Sequence, residues 1–264
     1  MKGLKAVGRL GGDFTNATQK RWNEKVTFAS GSWSELGGKK QQPGTYTERR
    51  DKVEQIDATA FLNADYKIGE DIALNGMIGW NLNQQTSSYL KSYLYGLEQP
   101  GWFNLANGVD KPMTTTYSDR RRLVGLFAQG EFGYKNFWFV NASIRNDWSS
   151  TFKGTNTGSF FYPSIGLSGI ITDIFRCSTD IMPYMKVRIS YSEVGNSPDV
   201  FLAIPTYALV DGVPVTQSRR PNPNLKPERT KSWEAGFNFV FFKNRLRLDG
   251  SIYQSRTYNQ FFER

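Results

Sequence analysis

The feature that most constrains this chain is a series of long segments in which apolar and polar residues alternate. In segment 56–68, every even position holds Ile, Ala, Leu or Tyr, and most odd positions hold polar residues. After a tight turn at 69–71, segment 72–83 repeats the scheme. A period of two is typical of a β-strand with one apolar and one polar face. The two segments therefore predict a β-hairpin with arms of about twelve residues each.

The same alternation recurs along the chain and predicts about nine antiparallel strands in total. The further segments are 2–14, 124–134, 137–147, 160–171, 184–194, 231–242 and 245–257. No segment of the sequence approaches the run of about 20 apolar residues that a transmembrane helix needs. The chain is therefore predicted to be all-β.

The connections between these segments fall into two classes. Short turns are expected at 69–71, 135–136 and 243–244, and long polar loops at about 15–52, 85–121, 148–159 and 195–230. Because the two classes alternate, an up-and-down antiparallel sheet would collect every long loop at one end, as outer-membrane β-barrels do. Strands of about eleven residues, tilted, also have the length that spans a bilayer. The pattern favours a transmembrane β-barrel wall over the alternative, a soluble sandwich or propeller, whose strands are shorter.

Aromatic residues make up 15% of the chain, and several stand where a membrane barrel carries its aromatic girdles. They are Tyr66, Trp80, Tyr134, Phe137, Trp138, Tyr184, Trp233, Phe241 and Tyr253. The stretch 222–239 shows the arrangement most clearly, since its prolines keep the backbone out of the sheet until the strand begins. We expect Trp233, Ala235, Phe237 and Phe239 to face lipid, and Glu234, Gly236 and Asn238 to face the lumen. Trp233 would then lie at the outer interface.

Composition excludes several kinds of chemistry. The chain has no His, which removes Ser-His-Asp and Cys-His catalysis and most zinc sites. Cys177 is the single cysteine, so the chain cannot build a disulfide framework or a thiolate metal cluster. Glu131 and Asp147 fall near opposite ends of neighbouring predicted strands, too far apart for a glycosidase carboxylate pair. We expect no catalytic residue, no cofactor and no metal site, and therefore a protein that is not an enzyme.

The formal net charge of +9 raises nucleic acid as a possible partner. The basic residues, however, cluster in predicted loops and do not alternate with aromatic residues as a stacking platform would. The clusters are Lys39, Lys40, Arg49, Arg50 and Lys52, then Arg120–Arg122, then Arg219 and Arg220. We expect no nucleic-acid partner. The cations either contact phosphates of the outer membrane leaflet or belong to solvated loops.

Four blocks of sequence carry a resemblance to a known family. They are RNDWSSTF (Arg145–Phe152), SFFYPSIGLSGIITDIF (Ser159–Phe175), YSEVGNSP (Tyr191–Pro198) and NPNLKPERTKSWEAGFNFVFFKNRLRLDGSIYQSRT (Asn222–Thr257). In this order and spacing they resemble the barrel of the SusC/RagA class of TonB-dependent outer-membrane transporters. The motif NPxLKPE occurs widely among TonB-dependent receptors, and its combination with RNDWSS and FYPS narrows the resemblance to this class.

The resemblance implies a larger closed barrel with a plug domain in its lumen and a surface lipoprotein, SusD-like, over its mouth. Such an assembly lies in the outer membrane of a diderm bacterium, in contact with its lipid, and imports glycans, oligosaccharides or peptides with energy from TonB. We expect residues 1–264 to be a partial barrel domain, an incomplete antiparallel up-and-down segment without plug, signal peptide or final strands. The alternative is a soluble β-rich module that binds carbohydrate or protein.

Two groups of residues are candidates for contact with cargo. The predicted lumen-facing group consists of Asp57, Asn63, Asp65, Asn75, Asn81, Gln129, Glu131, Asn141 and Arg145. The predicted loop 86–119 supplies the second group, Tyr89, Tyr93, Tyr95, Trp102, Phe103, Asn104 and Asn107, in which exposed rings could stack on sugars and amides could bond hydroxyls. Two other interpretations remain open. The polar face could contact the plug, and the rings could pack the loop against itself or against the lipoprotein.

Overall fold

The structure, a computed structural model, describes residues 3–38, 41–204, 206–210, 213–216 and 221–262. Of the basic residues in the predicted loops, Lys39, Lys40, Arg219 and Arg220 lie outside the described residues.

The described chain is built mainly from β-strands. In chain order they are β1 (Leu4–Asn23), β2 (Val26–Thr27), β3 (Gln41–Gln42), β4 (Thr45–Ile68), β5 (Ile72–Tyr95), β6 (Met113–Tyr134), β7 (Trp138–Ser149), β8 (Phe160–Ile170), β9 (Tyr184–Asn196), β10 (Tyr207–Val210), β11 (Val213–Thr216), β12 (Glu228–Phe241) and β13 (Leu246–Tyr258). Three single helical turns accompany them: α1 (Trp33–Leu36), α2 (Ile171–Ile174) and a 3₁₀ turn at Ser150–Phe152. Within the described ranges, no helix combines the length and apolarity needed to cross a membrane.

The long strands form a single nine-stranded sheet in the order β1-β4-β5-β6-β7-β8-β9-β12-β13. Each long strand therefore lies beside the next long strand along the chain, which is the up-and-down topology predicted from the alternation. The described registers from β6 to β13 are antiparallel. The sheet order does not return to its starting strand, so the predicted fold class, an incomplete antiparallel β-barrel segment, is confirmed.

The strands β4, β5 and β6 are 24, 24 and 22 residues long, about twice the predicted length. The predicted loops 15–52 and 85–121 are correspondingly shorter, because β1 runs on to Asn23 and β5 to Tyr95. The prediction was wrong here for a physical reason. Along these extensions polar residues interrupt the hydrophobic alternation, whereas the backbone hydrogen bonds of the ladder continue.

This extension also corrects the placement of the basic clusters. Arg49, Arg50 and Lys52 lie in β4 and Arg120–Arg122 in β6, not in loops. On β4 each cation pairs with an acid two positions away on the same face, as in Arg49–Asp51 at 2.7 Å and Lys52–Glu54 at 2.5 Å. Neighbouring opposite charges thus offset the positive charge of this cluster.

The chain divides into two compact units. The first comprises Met1–Gly11, Asp57–Asn83 and Arg121–Arg264, and the second comprises Gly12–Ile56 and Gln84–Arg120. The second unit contains a buried cluster of Tyr46, Leu94 and Leu97, against which Phe103 and Leu105 pack.

In the first unit, the register aligns the apolar residues of successive strands on one face. Leu126 lies opposite Asn146, Ile144 opposite Pro163, and Ile165 opposite Tyr191, so alternate positions of β6 to β9 share that face. The apolar side chains on it are exposed: Leu126 by 51% and Ile189 by 50%. A soluble sandwich would bury such side chains against a second sheet, and the described residues place none there. The structure therefore does not favour the alternative of a soluble module.

The register corrects two of the predicted girdle aromatics. Tyr253 lies opposite Glu234, and Tyr184 opposite Val240, so both project from the polar face. Their positions near strand ends suggested a girdle, but the face on which they stand follows from their position within the ladder. Trp138 and Tyr134, which lie opposite each other, do stand on the apolar face.

The three predicted tight turns lie at the predicted places. Gly69, Lys135 and Asn136 adopt positive φ angles of 62°, 51° and 59°, as tight hairpin turns require. The connection between β8 and β9, in contrast, is long and contains α2. The predicted strict alternation of short and long connections is therefore interrupted there.

Candidate functional site

The polar face of the first unit carries the predicted lumen-facing residues. In the β6–β7 ladder Gln129 lies opposite Ser143, and Glu131 opposite Asn141, on the side of the sheet away from the exposed apolar residues. A cavity of about 330 Å³ opens on this face. Its lining consists of Asn75, Gln129, Gly130, Glu131, Asn141, Ala142, Ser143 and Ser164. Four of the nine predicted residues thus share one cavity that is rich in hydrogen-bonding groups.

Amide side chains on this face bond carboxylates of the same or another strand. Asn63 Nδ2 donates to Asp65 Oδ2 at 3.1 Å, and Asn75 Nδ2 donates to the other oxygen of the same carboxylate. Asn83 Nδ2 donates to Asp57 Oδ1 at 2.5 Å. Neighbouring amides therefore hold these carboxylates, and the hydrogen bonds fix the orientation of the side chains on the polar face.

Arg145 is the centre of a second polar cluster. Its Nε lies 2.8 Å from Asp147 Oδ1, and its Nη2 donates to Asn81 Oδ1 at 2.6 Å. Tyr162 donates its hydroxyl hydrogen to Asp147 Oδ2, and the guanidinium lies 5.9 Å from the centroid of the Phe127 ring. Asp147 is only 3% exposed, so this buried charge depends on its partners.

Sequence reasoning identified Asn81 and Arg145 in this cluster but not Tyr162. Asp147 and Arg145 stand two positions apart in β7, a spacing that places both on one face of a strand. This spacing was the available signal for the ion pair. The contribution of Tyr162 comes from a different strand and has no local signal in the sequence.

Glu131 and Asp147 lie too far apart to form a catalytic pair. Asp147 lies opposite Gly125, whereas Glu131 lies six positions further along β6. That separation corresponds to about 20 Å along the strand, well beyond the spacing of about 5–10 Å that glycosidases need. The distance between them agrees with the sequence-based expectation.

In the second unit, three residues of the predicted aromatic loop lie on a strand. Tyr89, Tyr93 and Tyr95 belong to β5. The ring of Tyr89 stacks on that of Tyr117, with centroids 5.4 Å apart, and the guanidinium of Arg49 lies 4.2 Å from its centroid. Tyr89 is therefore engaged in packing and leaves little ring surface for a sugar.

Three other predicted contact residues stabilise the loop itself. Asn107 is 1% exposed, donates to the carbonyls of Gln99 at 2.7 Å and Trp102 at 2.5 Å, and accepts from the Gln99 amide. Asn104 Oδ1 accepts from the Ala106 amide at 2.9 Å. Phe103 packs beside the buried cluster and lies 5.3 Å from the ring of Trp22. Their contacts favour the interpretation that these residues pack the loop.

The remaining three residues of this group are accessible. Tyr95 is 60% exposed and Trp102 is 47% exposed. Tyr93 lines a cavity of about 560 Å³. The other residues around that cavity are Lys20, Arg21, Trp22, Asn23, Thr45 and Thr47. Sequence reasoning missed the cations of β1, because residues 15–23 were predicted to be loop.

Comparison with known proteins gives a consistent result. The family model described as TonB dependent receptor-like, beta-barrel matches residues 5–264. TonB-dependent receptor P3 of Formosa agariphila is 26% identical over 204 residues, which cover 74% of this chain and 20% of the relative. TonB-dependent receptor SusC of Bacteroides thetaiotaomicron is 29% identical over 151 residues, covering 52% of this chain and 15% of the relative. The chain thus spans about a fifth or less of the length of these relatives.

Among solved structures, that of the RagAB peptide transporter superposes on 97% of this chain and 28% of its own, with a TM-score of 0.81 and 20% sequence identity. At 20% sequence identity, this match shows that the two chains share a fold and shows nothing about cargo. It agrees with the resemblance carried by the four sequence blocks.

Proposed function

The chain belongs to the TonB-dependent receptor-like β-barrel family, and from that premise we propose that it forms part of the wall of an outer-membrane transporter. The predicted resemblance to the SusC/RagA class is confirmed. The family consists of receptors and transporters, not of enzymes. In this proposal the chain positions cargo and plug and carries out no covalent chemistry.

The observation that carries the proposal is the contrast between the two faces of one sheet. One face presents exposed apolar residues such as Leu126 and Ile189, which need a lipid environment. The other face presents hydrogen-bonded amides, carboxylates and Arg145, which suit a wet interior. In this proposal, the inside-out distribution suits the wall of a closed barrel in a bilayer and does not suit a water-soluble sheet.

We further propose that the cargo is a large polar nutrient, a glycan or oligosaccharide or a peptide. The cavity around Gln129, Glu131 and Asn141 offers donors and acceptors that fit hydroxyl or peptide groups. The exposed rings of Tyr95 and Trp102 offer flat apolar surface at the far end of β5. A SusD-like surface lipoprotein and TonB would act through other parts of the assembly, and the polar face would contact either cargo or plug.

The domain assignment remains part of this proposal. Residues 1–264 would be a partial barrel domain, consistent with the small share of each relative that the chain covers. Its nine-stranded sheet would require further strands beside β1 and β13 to satisfy the backbone groups of both edges.

The direct test is fractionation of the host cell combined with a growth screen. We expect the product of the native gene to sediment with the outer membrane and to resist extraction by alkaline carbonate. Deletion of the gene should abolish growth on one class of oligosaccharide or peptide, with growth on monosaccharides or amino acids unchanged as the control. Recovery of the protein in a soluble fraction would contradict the membrane placement. Normal growth of the deletion strain on every polymer tested would contradict the import function.

A further inference from the structure

The exposed apolar face changes character abruptly at one end of β12. Along this face the strand carries Phe241, Phe239, Phe237, Ala235 and Trp233, and the next two positions are Lys231 and Arg229. The ring of Trp233 contacts that of Tyr191 on β9, with centroids 4.5 Å apart. The aromatic pair therefore marks the boundary between an apolar band and a charged rim on a single face.

The register adds a further cation to this rim. Arg256 of β13 lies opposite Lys231, and Tyr258 lies opposite Arg229. The Lys231 ammonium lies 5.3 Å from the centroid of the Tyr258 ring. Since residues that oppose each other in an antiparallel ladder share a face, all of these side chains stand just beyond the girdle.

A carboxylate lies within this group of cations. Glu193 Oε2 is 3.4 Å from Arg229 Nη1, and Glu193 Oε1 is 3.5 Å from Lys231 Nζ. We use the term basic rim for Lys226, Arg229, Lys231 and Arg256. Glu193 pairs with Arg229 and Lys231 of this rim, so its four cations outnumber the one carboxylate in these ion pairs, which leaves a surplus of positive charge for an anionic ligand.

A cavity of about 430 Å³ adjoins the basic rim. It is lined by Asn156, Thr157, Gly158, Ser159, Lys226, Pro227, Arg229, Tyr258 and Asn259. Two cations, three hydroxyl-bearing residues and two amides therefore surround one space. Although Thr157 and Asn156 also donate to the neighbouring loop, Lys226 and Arg229 supply charged donors that suit phosphate oxygens.

The wall of this cavity is fixed by contacts between two loops. The Asn156 amide donates to the Pro223 carbonyl at 2.9 Å, and Thr157 Oγ1 donates to the Leu225 carbonyl at 2.8 Å. Asn156 Nδ2 donates to Asn224 Oδ1 at 2.8 Å. These bonds hold the cavity in place beside the strand end and reduce the entropy lost when a ligand binds.

The depth of the rim matches a headgroup layer. Lys231 stands two residues beyond Trp233, about 7 Å along the strand and about 5 Å along the membrane normal for a strand tilted by about 45°. The polar layer on each side of a bilayer is about 5–7 Å thick. A lipid whose acyl chains lie against Phe237 and Ala235 would therefore bring its phosphate to the level of Lys231. Arg229 stands two residues further along the strand, about 9 Å from Trp233 along the membrane normal, so its long side chain would reach back toward the phosphate.

We propose that the basic rim and its adjoining cavity bind the phosphate group of an anionic lipid in the outer leaflet. The inference goes beyond transport and rests on the proposed membrane placement of the sheet. Its physical basis is the combination of charge surplus, donor-lined cavity and depth on one face. Phosphate held there would form charge-assisted hydrogen bonds with Arg229 and Lys231.

The test uses protein extracted from the host outer membrane and reconstituted in phosphatidylcholine vesicles with or without phosphatidic acid. Native mass spectrometry after mild detergent extraction counts the phosphatidic acid that each protein retains. We expect the triple variant Arg229→Gln, Lys231→Gln, Arg256→Gln to retain at least about tenfold less than the wild type. The matched control is Lys135→Gln, Lys243→Gln, Arg245→Gln, which removes the same charge at the turn end of the strands and should retain the lipid.

A variant with the opposite expected effect keeps the inference testable if the triple variant misfolds. Glu193→Gln removes the competing carboxylate and should increase phosphatidic acid retention severalfold. Equal retention in the wild type and a membrane-inserted triple variant would overturn the lipid site and leave the transport proposal intact. The lipid site would also be overturned if millimolar inorganic phosphate displaced phosphatidic acid and bound with the same affinity as the lipid, because the site would then bind free phosphate. Failure of the wild type itself to fractionate with the membrane would instead contradict the proposed function.

Discussion

Gly125 lies directly opposite Asp147 in the β6–β7 ladder, and the Asp147–Arg145 pair fills the space that a side chain at position 125 would need. A Cβ atom on Gly125 would come closer than 3.0 Å to Arg145 Nη2, Asp147 Oδ1 and Asn81 Oδ1. The glycine and the buried ion pair are therefore two parts of one arrangement.

The first prediction follows from this relationship. Gly125→Ala should lower the free energy of unfolding by about 2 kcal/mol, because the methyl group displaces a paired carboxylate. The measurement is urea unfolding of the protein in lipid vesicles. Gly130→Ala on the same strand is the matched control, since its Cβ would meet only the Asn75 carbonyl oxygen at 3.8 Å. Equal stability of the two variants would contradict the steric argument.

The second prediction concerns the buried charge itself. Asp147→Asn should destabilise the protein by about 2–3 kcal/mol, because it leaves the Arg145 guanidinium without its counter-charge and weakens the bond from Tyr162. Arg50→Gln breaks the exposed pair with Glu48, 3.0 Å apart, and should cost less than about 1 kcal/mol. Thermal unfolding of both variants in the same detergent measures the two losses of stability. A larger loss in Arg50→Gln than in Asp147→Asn would contradict the importance of the buried pair.

The third prediction tests the two faces of the sheet. Ile165 stands on the exposed apolar face of β8, and Ser164 beside it stands on the polar face. Ile165→Lys should destabilise the membrane-inserted protein by about 2–4 kcal/mol, because it places a charge in the hydrocarbon layer. Ser164→Lys introduces the same side chain into a polar environment and should change stability far less. A similar loss of stability in both variants would mean that the two faces of the sheet lie in the same environment, which would contradict the prediction.

The fourth prediction concerns the loop of the second unit. Asn107→Ala removes the three bonds that the buried Asn107 side chain makes to the backbones of Gln99 and Trp102, so it should cost about 1–2 kcal/mol. Hydrogen exchange should accelerate at the Gln99 amide in particular. Asn104→Ala, which loses one exposed bond to the Ala106 amide, is the control and should leave the Gln99 amide protected.

The fifth prediction separates rings that are free for ligand from rings that pack. Trp102→Ala should weaken uptake of the nutrient found in the growth screen severalfold without changing the unfolding midpoint, because the ring is exposed. Tyr89→Ala should instead lower stability by about 1 kcal/mol, because it removes the contacts with Tyr117 and Arg49. Uptake assays and unfolding midpoints on the same preparations distinguish the two. The reverse pattern would assign ligand contact to Tyr89.

Much of the candidate site could be anticipated from the strand pattern. Asn75, Gln129, Glu131 and Asn141 were predicted to share a face, and they line one cavity. For Phe103, Asn104 and Asn107 the sequence left open whether they contact cargo or pack the loop, because an amide that bonds a sugar and an amide that bonds its own loop look alike in the sequence. Only the carbonyls of Gln99 and Trp102 around Asn107 distinguish the two.

The sequence by itself determined the strands, their two faces and the tight turns, because alternation, Gly69 and Lys135-Asn136 act through local backbone geometry. It also determined the family resemblance, which resides in contiguous blocks. The tertiary structure decided which residues meet: Tyr162 with Asp147, Tyr89 with Tyr117, and Arg256 with Lys231 across the rim. Such partners depend on the register between neighbouring strands, and a period of two within one strand fixes only which face a residue occupies, not which residue lies opposite it. The tertiary structure also determined the full length of β4 and β5, since hydrogen bonds between the backbones of neighbouring strands continue where the hydrophobic pattern ends.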